Sequence, residues 1–514
     1  MSSLTRTALD TWLADRWRGV DPAYRVGFLV AACVSLLAFG FEMTNLTLHH
    51  DDLNHLFVQK PLVGYYLGRF VHAWLFWYGQ QGLFLPFLDM TIGMALMGLY
   101  GVLVAHFWGA RRALDVALVA AVVCVFPYMA HVYQYNSVMI AYPLAHLLAA
   151  GGVVLAARAR PLSLAVAAVL VFVAFSIYQA VLANAVAVLL GWLLMRALFP
   201  AGSPRPGLRA SLVGAAAVLL AIAAGGVLHV LAVWSLDVPM DAAQGANEAF
   251  SVRSRLERGL QVGRAVAVVL QESRAFFAWP EAYLPQALKG LHALFVAAAA
   301  LCCLLVPRGA KAKAAALVLL GLLLLAPRTL QLLHPGGNFH KLTLTSYALV
   351  IAAAALVVVR SAGTTVRNVA LAAGGVLLAG YVVQCNWVST VNHLNTQAHF
   401  AAVTQVLARV RALPGAGWDG RTVAVVGRYD MAGDFPYRGA TGVASEYLGP
   451  RHMNFIARLL RDEARFVGPD AWPAGVPGFA AGRPAWPHPD SVGIVDGVGV
   501  VVLSQRQGRE EPGE

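Results

Sequence analysis

The sequence predicts an all-α polytopic membrane protein with about eleven transmembrane helices, interfacial helices on its outer face and a small C-terminal α/β periplasmic domain. Three observations carry this reading. Apolar runs of about 20 residues recur along the chain, the loops between them alternate between basic and nearly base-free, and the composition changes after residue 387. Of 514 residues, 59% are hydrophobic and 12% charged, with a mean hydropathy of +0.64. That is more apolar surface than one water-soluble core can bury. The formal charge of +12 does not point to nucleic acid, because the basic residues are mostly Arg in short clusters between apolar runs, not gathered on one polar face.

Taken in order, residues 1–25 form a cytoplasmic segment with four Arg interleaved with acids. The run that follows is long and lacks a small-residue cleavage signature, so it reads as an uncleaved first span. The spans fall near 26–46, 83–107, 113–130, 138–157, 162–179, 181–199, 210–235, 287–306, 314–333, 342–359 and 369–386. Only "IYQAVLAN" separates the pair around 162–199, and without that break the count would be even. The positive-inside rule fits a cytoplasmic N-terminus and a C-terminus on the opposite, outer face. Alternate connections carry Arg111 and Arg112; Arg158 and Arg160; Arg196, Arg205 and Arg209; Arg308, Lys311 and Lys313; and Arg360 and Arg367. The opposite connections include "HVYQYNS", with no Lys or Arg, and "HPGGNFHK", with one. All five cysteines lie in apolar stretches without metal-ligand spacing and read as small core residues.

This topology divides the chain into the segment 1–25, a transmembrane region 26–386 with outer loops 47–82 and 237–286, and a periplasmic α/β domain over 387–514. In the first loop "PLVGYYLGRFVHAWLFWYG" has the pattern of an interfacial amphipathic helix rich in Tyr and Trp. In the second, "NEAFSVRSRLERGLQVGRAVAVVLQES" also has helical spacing. The last region reads as a helix, "HFAAVTQVLARVRAL", a strand, "RTVAVVG", a second helix, "RHMNFIARLLRDEARF", and a hairpin around Asp496 and Gly497. No glycine-rich phosphate loop follows the strand, so a nucleotide fold is not supported.

The densest polar cluster, "NLTLHHDDLNHLFVQ", follows the first span. Asp51 and Asp52 there stand just outside the membrane, and a carboxylate at a membrane cleft can act as a general base. Glu42, Asp89 and Arg328 lie within apolar runs near their outer ends, where an ionisable side chain faces a cavity or a partner. Arg binds phosphate bidentately and Lys binds it as a point charge, so Arg69, Arg328 and Lys341 could hold an anionic headgroup, with His340, Tyr135 and Asn136 as further cavity residues. His49, His50 and His55 have weak metal-ligand spacing, so a divalent metal is the one cofactor the sequence leaves open.

The succession of a first span, an outer "DD", a "GR" on an interfacial helix, "YQYNSVMIAYPLAHLLA" and "SIYQAVLANAVAVLL" resembles the bacterial Gtr-type (type II) glucosyl transferases over residues 25–400. More broadly it is similar to the GT-C superfamily of polyprenyl-phosphate-sugar-dependent glycosyltransferases. The resemblance implies Asp51 and Asp52 as the acidic motif and Arg69 as the "GR" arginine. Asn136 and Ser137 stand where the family often carries an Asp-Ser pair, an amide in place of an acid. It implies transfer of a sugar, glucose in the type family, from a polyprenyl-phosphate donor to a surface polysaccharide such as O-antigen. The implied partners are the lipid-linked sugar, the glycan acceptor, the bilayer, and membrane proteins that make and flip the donor; nucleic acid is not among them. A transporter or flippase, and a lipid-linked oligosaccharide polymerase or ligase, remain alternatives at this point.

Overall fold

The computed structural model describes residues 15–45, 47–48, 52, 68–79, 83–199, 208–236, 262–279, 281, 283–307, 309–333, 341–413, 418, 420–430 and 447–504. Among these, nine helices are long and apolar enough to cross a membrane, and two shorter apolar helices accompany them. Each of the eleven apolar runs read from the sequence coincides with one of these helices, so the chain is an all-α polytopic membrane protein with a small C-terminal sheet.

The helices start where their sequences say they should. Helix α1 (Pro22–Thr44) has Asp21 as its N-cap, with the Asp21 carboxylate accepting from the Ala23 amide at 2.8 Å and Pro in the first turn. A short helix α2 (Phe70–Trp74) continues as one π-turn over Leu75–Gly79, within the stretch expected to be an interfacial helix over 61–79; residues 61–67 lie outside the described ones. Then come α3 (Pro86–Phe107), α4 (Ala113–Val125), α5 (Tyr128–Tyr133), α6 (Ala141–Ala156), α7 (Pro161–Ile177) and α8 (Val181–Leu198). The run expected to be one helix over 113–130 is broken at Phe126, because Pro127 cannot continue the α-helical hydrogen bonding. Helices α9 (Leu208–Ser235), α10 (Val262–Ala278), α11 (Gln286–Leu305) and α12 (Ala310–Leu325) follow. Pro327 then tightens the chain into a 3-10 turn, Ala326–Arg328, before α13 (Thr329–Leu333).

Helix α14 (Tyr347–Ser361) is the centre of the bundle. It is buried from Tyr347 to Val359, and its run of four alanines, Ala352 to Ala355, lets neighbours approach closely. Helix α9 lies at the periphery, with 17% of its apolar window buried.

Helix α15 (Thr364–Ala412) is 49 residues, about 74 Å at 1.5 Å per residue. From Tyr381 to Ala412 it contains no Gly or Pro, so nothing in the sequence interrupts it between the apolar bundle and the C-terminal region. Its last turns, with Val403, Val406 and Val410, pack against Val423, Val425 and Val501 of the sheet. That sheet comprises β1 (Thr422–Val426), β4 (Arg465–Val467), β5 (Val492–Val495) and β6 (Val498–Val502). A separate two-stranded ribbon pairs β2 (Tyr429–Asp430) with β3 (Tyr447–Leu448). The larger sheet has the order β4-β1-β6-β5, parallel except for the β5–β6 hairpin. Asp496 and Gly497 form the hairpin turn with φ of 49° and 77°, the left-handed pair a two-residue turn requires. Helix α16 (Pro450–Leu459) is shorter than the pattern over 451–466 implied. The Asp462 carboxylate accepts from the Ala464 amide at 2.9 Å and pairs with Arg411 at 2.8 Å, turning the chain out of the helix and into β4. A short helix α17 (Val476–Ala480) covers the other face of the sheet.

Candidate functional site

Residues 128–142 are the scaffold on which most of the candidate residues meet. After Pro127 come the short helix α5, a 3-10 turn over Asn136–Val138 and the start of α6, with every side chain from Tyr128 to Gln134 buried. Gly93 of α3 makes room for this segment: a Cβ there would collide with the Met139 carbonyl oxygen.

On one side lies the acidic motif. The Asn136 Nδ2 donates both to the Thr47 carbonyl at 2.8 Å and to Asp52 Oδ2 at 2.9 Å. Asp52 is fully buried, so this amide fixes the orientation of its carboxylate; an acid at 136 would repel it instead. The Thr47 hydroxyl donates to Glu42 Oε1, and the Glu42 and Asp52 carboxylates lie near enough to repel one another. Glu42 is therefore tied to Thr47, whose carbonyl shares the Asn136 amide with Asp52. Asp89 has a different place: its Oδ2 accepts from the Leu85 amide at 3.1 Å and closes the N-terminus of α3. Asp51, His340, His49, His50 and His55 lie outside the described residues.

A second side is built around Arg69. Gly68, with φ of 69°, turns the chain in a conformation that favours glycine, and a Cβ there would press on Val233 at 3.3 Å. Arg69 Nη1 donates to the Tyr142 hydroxyl at 3.0 Å and Nε donates to Gln179 Oε1 at 3.3 Å, while the guanidinium lies 5.2 Å from the centre of the Tyr178 ring. Tyr142 and Tyr178 stack at 3.8 Å. All these partners are neutral, and no carboxylate pairs with Arg69 among the described residues. The adjoining helix α2 is fastened to the scaffold by His72 Nε2, which donates to the Ser137 carbonyl at 2.9 Å.

The third side holds Lys341 and Arg328, both paired with acids. Glu281 binds Lys341 through Oε2 and Lys289 through Oε1, the latter at 3.2 Å, and accepts from the Tyr128 hydroxyl at 2.5 Å. Burial raises the proton affinity of the Glu281 carboxyl, but the Lys341 charge and its hydrogen bond, helped by Tyr128 and Lys289, outweigh it and hold the pKa below the usual carboxylate value. Arg328 Nε donates to the Tyr347 hydroxyl at 3.1 Å, and Nη1 lies 3.5 Å from Glu272 Oε2. Tyr135 stacks on His131, which stacks in turn on Tyr283, so an aromatic file runs from beside Asn136 toward the Glu281 cluster.

Glu281, Lys289, Glu272, Tyr142, Tyr178 and Gln179 were not singled out from the sequence. One signal could have found Lys289, the fourth residue of α11 and a charge inside an apolar run, by the rule that selected Glu42 and Asp89. Among the described residues no group of three or more His, Cys, Asp or Glu is placed to hold a metal.

A bundle of apolar helices with a buried carboxylate and a cluster of cations gathered on one short segment defines a polytopic membrane protein whose polar site is built by its helix ends and loops. The family described as glucosyl transferase GtrII matches residues 40–385, two thirds of the chain, and the protein belongs to that family. It is thus a glycosyltransferase, of the family the sequence resembled. Neither the curated proteins nor the solved structures yield a match.

Proposed function

We propose that this protein moves glucose from a polyprenyl-phosphate carrier to a surface polysaccharide such as O-antigen, at the periplasmic face of a bacterial inner membrane. The observation that carries the reading is Arg69: a half-buried guanidinium held by Tyr142 and Gln179, with no carboxylate to balance it among the described residues. A cation so placed beside a membrane bundle suits a lipid-borne phosphate. In this reading the N-terminus is cytoplasmic, the C-terminus is periplasmic, and separate membrane proteins make and flip the donor.

The chemistry needs a base and an anion site. Asp52, oriented by Asn136, takes the proton of the acceptor hydroxyl, with Asp51 positioning that acceptor. The acceptor oxygen forms a bond to the anomeric carbon as the bond from that carbon to the phosphate oxygen breaks. The leaving polyprenyl phosphate keeps the electron pair, and Arg69, with Lys341, holds its charge. Arg328 supports the same region by holding the Tyr347 hydroxyl.

The test is transfer of radiolabelled glucose from polyprenyl-phosphate glucose to polysaccharide from a deletion strain, by purified protein in lipid nanodiscs. Wild type should transfer, and Asp52→Asn should lose about two to four orders of magnitude in rate. If Asp51→Asn and Asp52→Asn both match wild type, the assignment of the base fails. If wild type transfers nothing but carries a solute across vesicles, the transferase reading gives way to transport.

A further inference from the structure

Helix α15 carries a polar stripe, part of which neither the fold nor the proposed reaction uses. Ser389, Asn392, Asn395, Thr396 and His399 recur at spacings of three and four, which places them along one side of the helix, and all five are buried. The stripe borders the acidic turn. Ser389 faces the Glu42 carboxylate, and Thr396 Oγ1 accepts from the Leu48 amide at 3.4 Å. Asn392 lies about one helical turn from each, on the side of the helix that meets the Glu42, Thr47 and Leu48 turn. Beyond Thr396, Leu48 packs on Phe455 of α16, with Phe400 and Leu459 beside them, so the C-terminal region closes over this turn.

Within the stripe three side chains lack the partners their burial demands. Asn392 is 4% exposed, yet neither its Nδ2 nor its Oδ1 makes a hydrogen bond; Asn395 Oδ1 and His399 Nε2 are also unpartnered and buried. Unpaired buried amides are destabilising, and native proteins keep few of them. Two carboxamides and an imidazole on one side of one helix present both donors and acceptors, the complement of sugar hydroxyls, which also donate and accept.

We infer that Asn392, Asn395 and His399 form a subsite for a pyranose unit of the glycan acceptor, beside Thr47 and Leu48, the former sharing the Asn136 amide with Asp52. The inference rests on the glucosyl-transfer reading for the role of that glycan. It also puts acceptor choice on residues beyond 385, outside the segment the family pattern covers.

The experiment measures binding separately from turnover. Full-length protein in nanodiscs is titrated with polysaccharide from the deletion strain, and KM for the acceptor and for polyprenyl-phosphate glucose is measured in parallel. Wild type should bind the polysaccharide. Asn392→Ala and Asn395→Ala should each weaken binding and raise acceptor KM about fivefold to tenfold, leaving donor KM unchanged, which also reports that the variants are folded. Asn392→Leu distinguishes a subsite from a packing defect. If it raises Tm and leaves binding untouched, the inference is overturned, as it is if wild type binds no polysaccharide or if all variants bind as wild type does. If wild type binds, the variants do not, and no glucose is transferred, the subsite stands and the transfer reading is what fails.

Discussion

Arg69 and the Lys341 cluster flank the same scaffold but are solved in opposite ways. Arg69 is held by a tyrosine hydroxyl, a carboxamide and an aromatic face, all neutral. Lys341 and Lys289 share the Glu281 carboxylate, and Arg328 is paired with Glu272. A cation with neutral partners keeps its charge for a ligand, whereas a cation already paired contributes mainly to holding elements together. The difference teaches that the three basic residues grouped together from the sequence are not equivalent: Lys341 and Arg328 meet carboxylates, and Arg69 meets none among the described residues.

Four substitutions and one titration can break or sharpen this contrast. The largest effect is expected from Glu281→Gln. It leaves Lys289, 1% exposed, without its counter-charge, and breaking a buried pair in this way costs roughly 3–5 kcal/mol. Tm in nanodiscs should fall steeply; an unchanged Tm would mean that the cluster is not structural. Next is Arg69→Ala, for which kcat/KM for the donor should drop about a hundredfold, about 2.7 kcal/mol of lost transition-state stabilisation, with little change in Tm. Arg69→Lys keeps the charge but loses the planar fork, so a loss of about tenfold is expected in the same assay. Lys341→Met should reduce donor kcat/KM only about twofold to fivefold, because its charge is already shared with Glu281.

The titration is smaller still. Because the folded-state pKa of Glu281 is depressed, its pairing stabilises the protein above the unfolded carboxylate value of 4.5, and that contribution is lost as pH falls through the lower folded value. Wild-type Tm should therefore decline below about pH 4.5, and part of that decline should be missing in Glu281→Gln.

The fold was legible because run length and apolarity directly decide which segments can cross a membrane. All eleven runs became helices, and even the narrow break at "IYQAVLAN" is present, between Ile177 and Val181. That break does more than separate two helices: it presents Tyr178 and Gln179 to Arg69. The hairpin at Asp496 and Gly497 was legible for a local reason too, since two left-handed residues are what such a turn needs.

The site was legible only as a set of residue types. Which cation finds which partner depends on contacts far apart in sequence, such as Arg69 with Gln179, 110 residues on, or Tyr128 with Glu281, 153 residues on. No periodicity encodes those meetings. The apolar pattern likewise ended the last span near 386, whereas the helix itself runs on to Ala412, because hydropathy marks the membrane boundary and says nothing about where hydrogen bonding stops.

The central claim is that a lipid-linked phosphate sits on Arg69. Its most direct test is the KM for polyprenyl-phosphate glucose of Arg69→Ala and Lys341→Met, measured side by side in the same nanodisc assay. A rise in donor KM at least tenfold larger for Arg69→Ala than for Lys341→Met is the predicted result. An unchanged donor KM in Arg69→Ala, with a large rise in Lys341→Met, would contradict the account and move the phosphate to the lysine cluster.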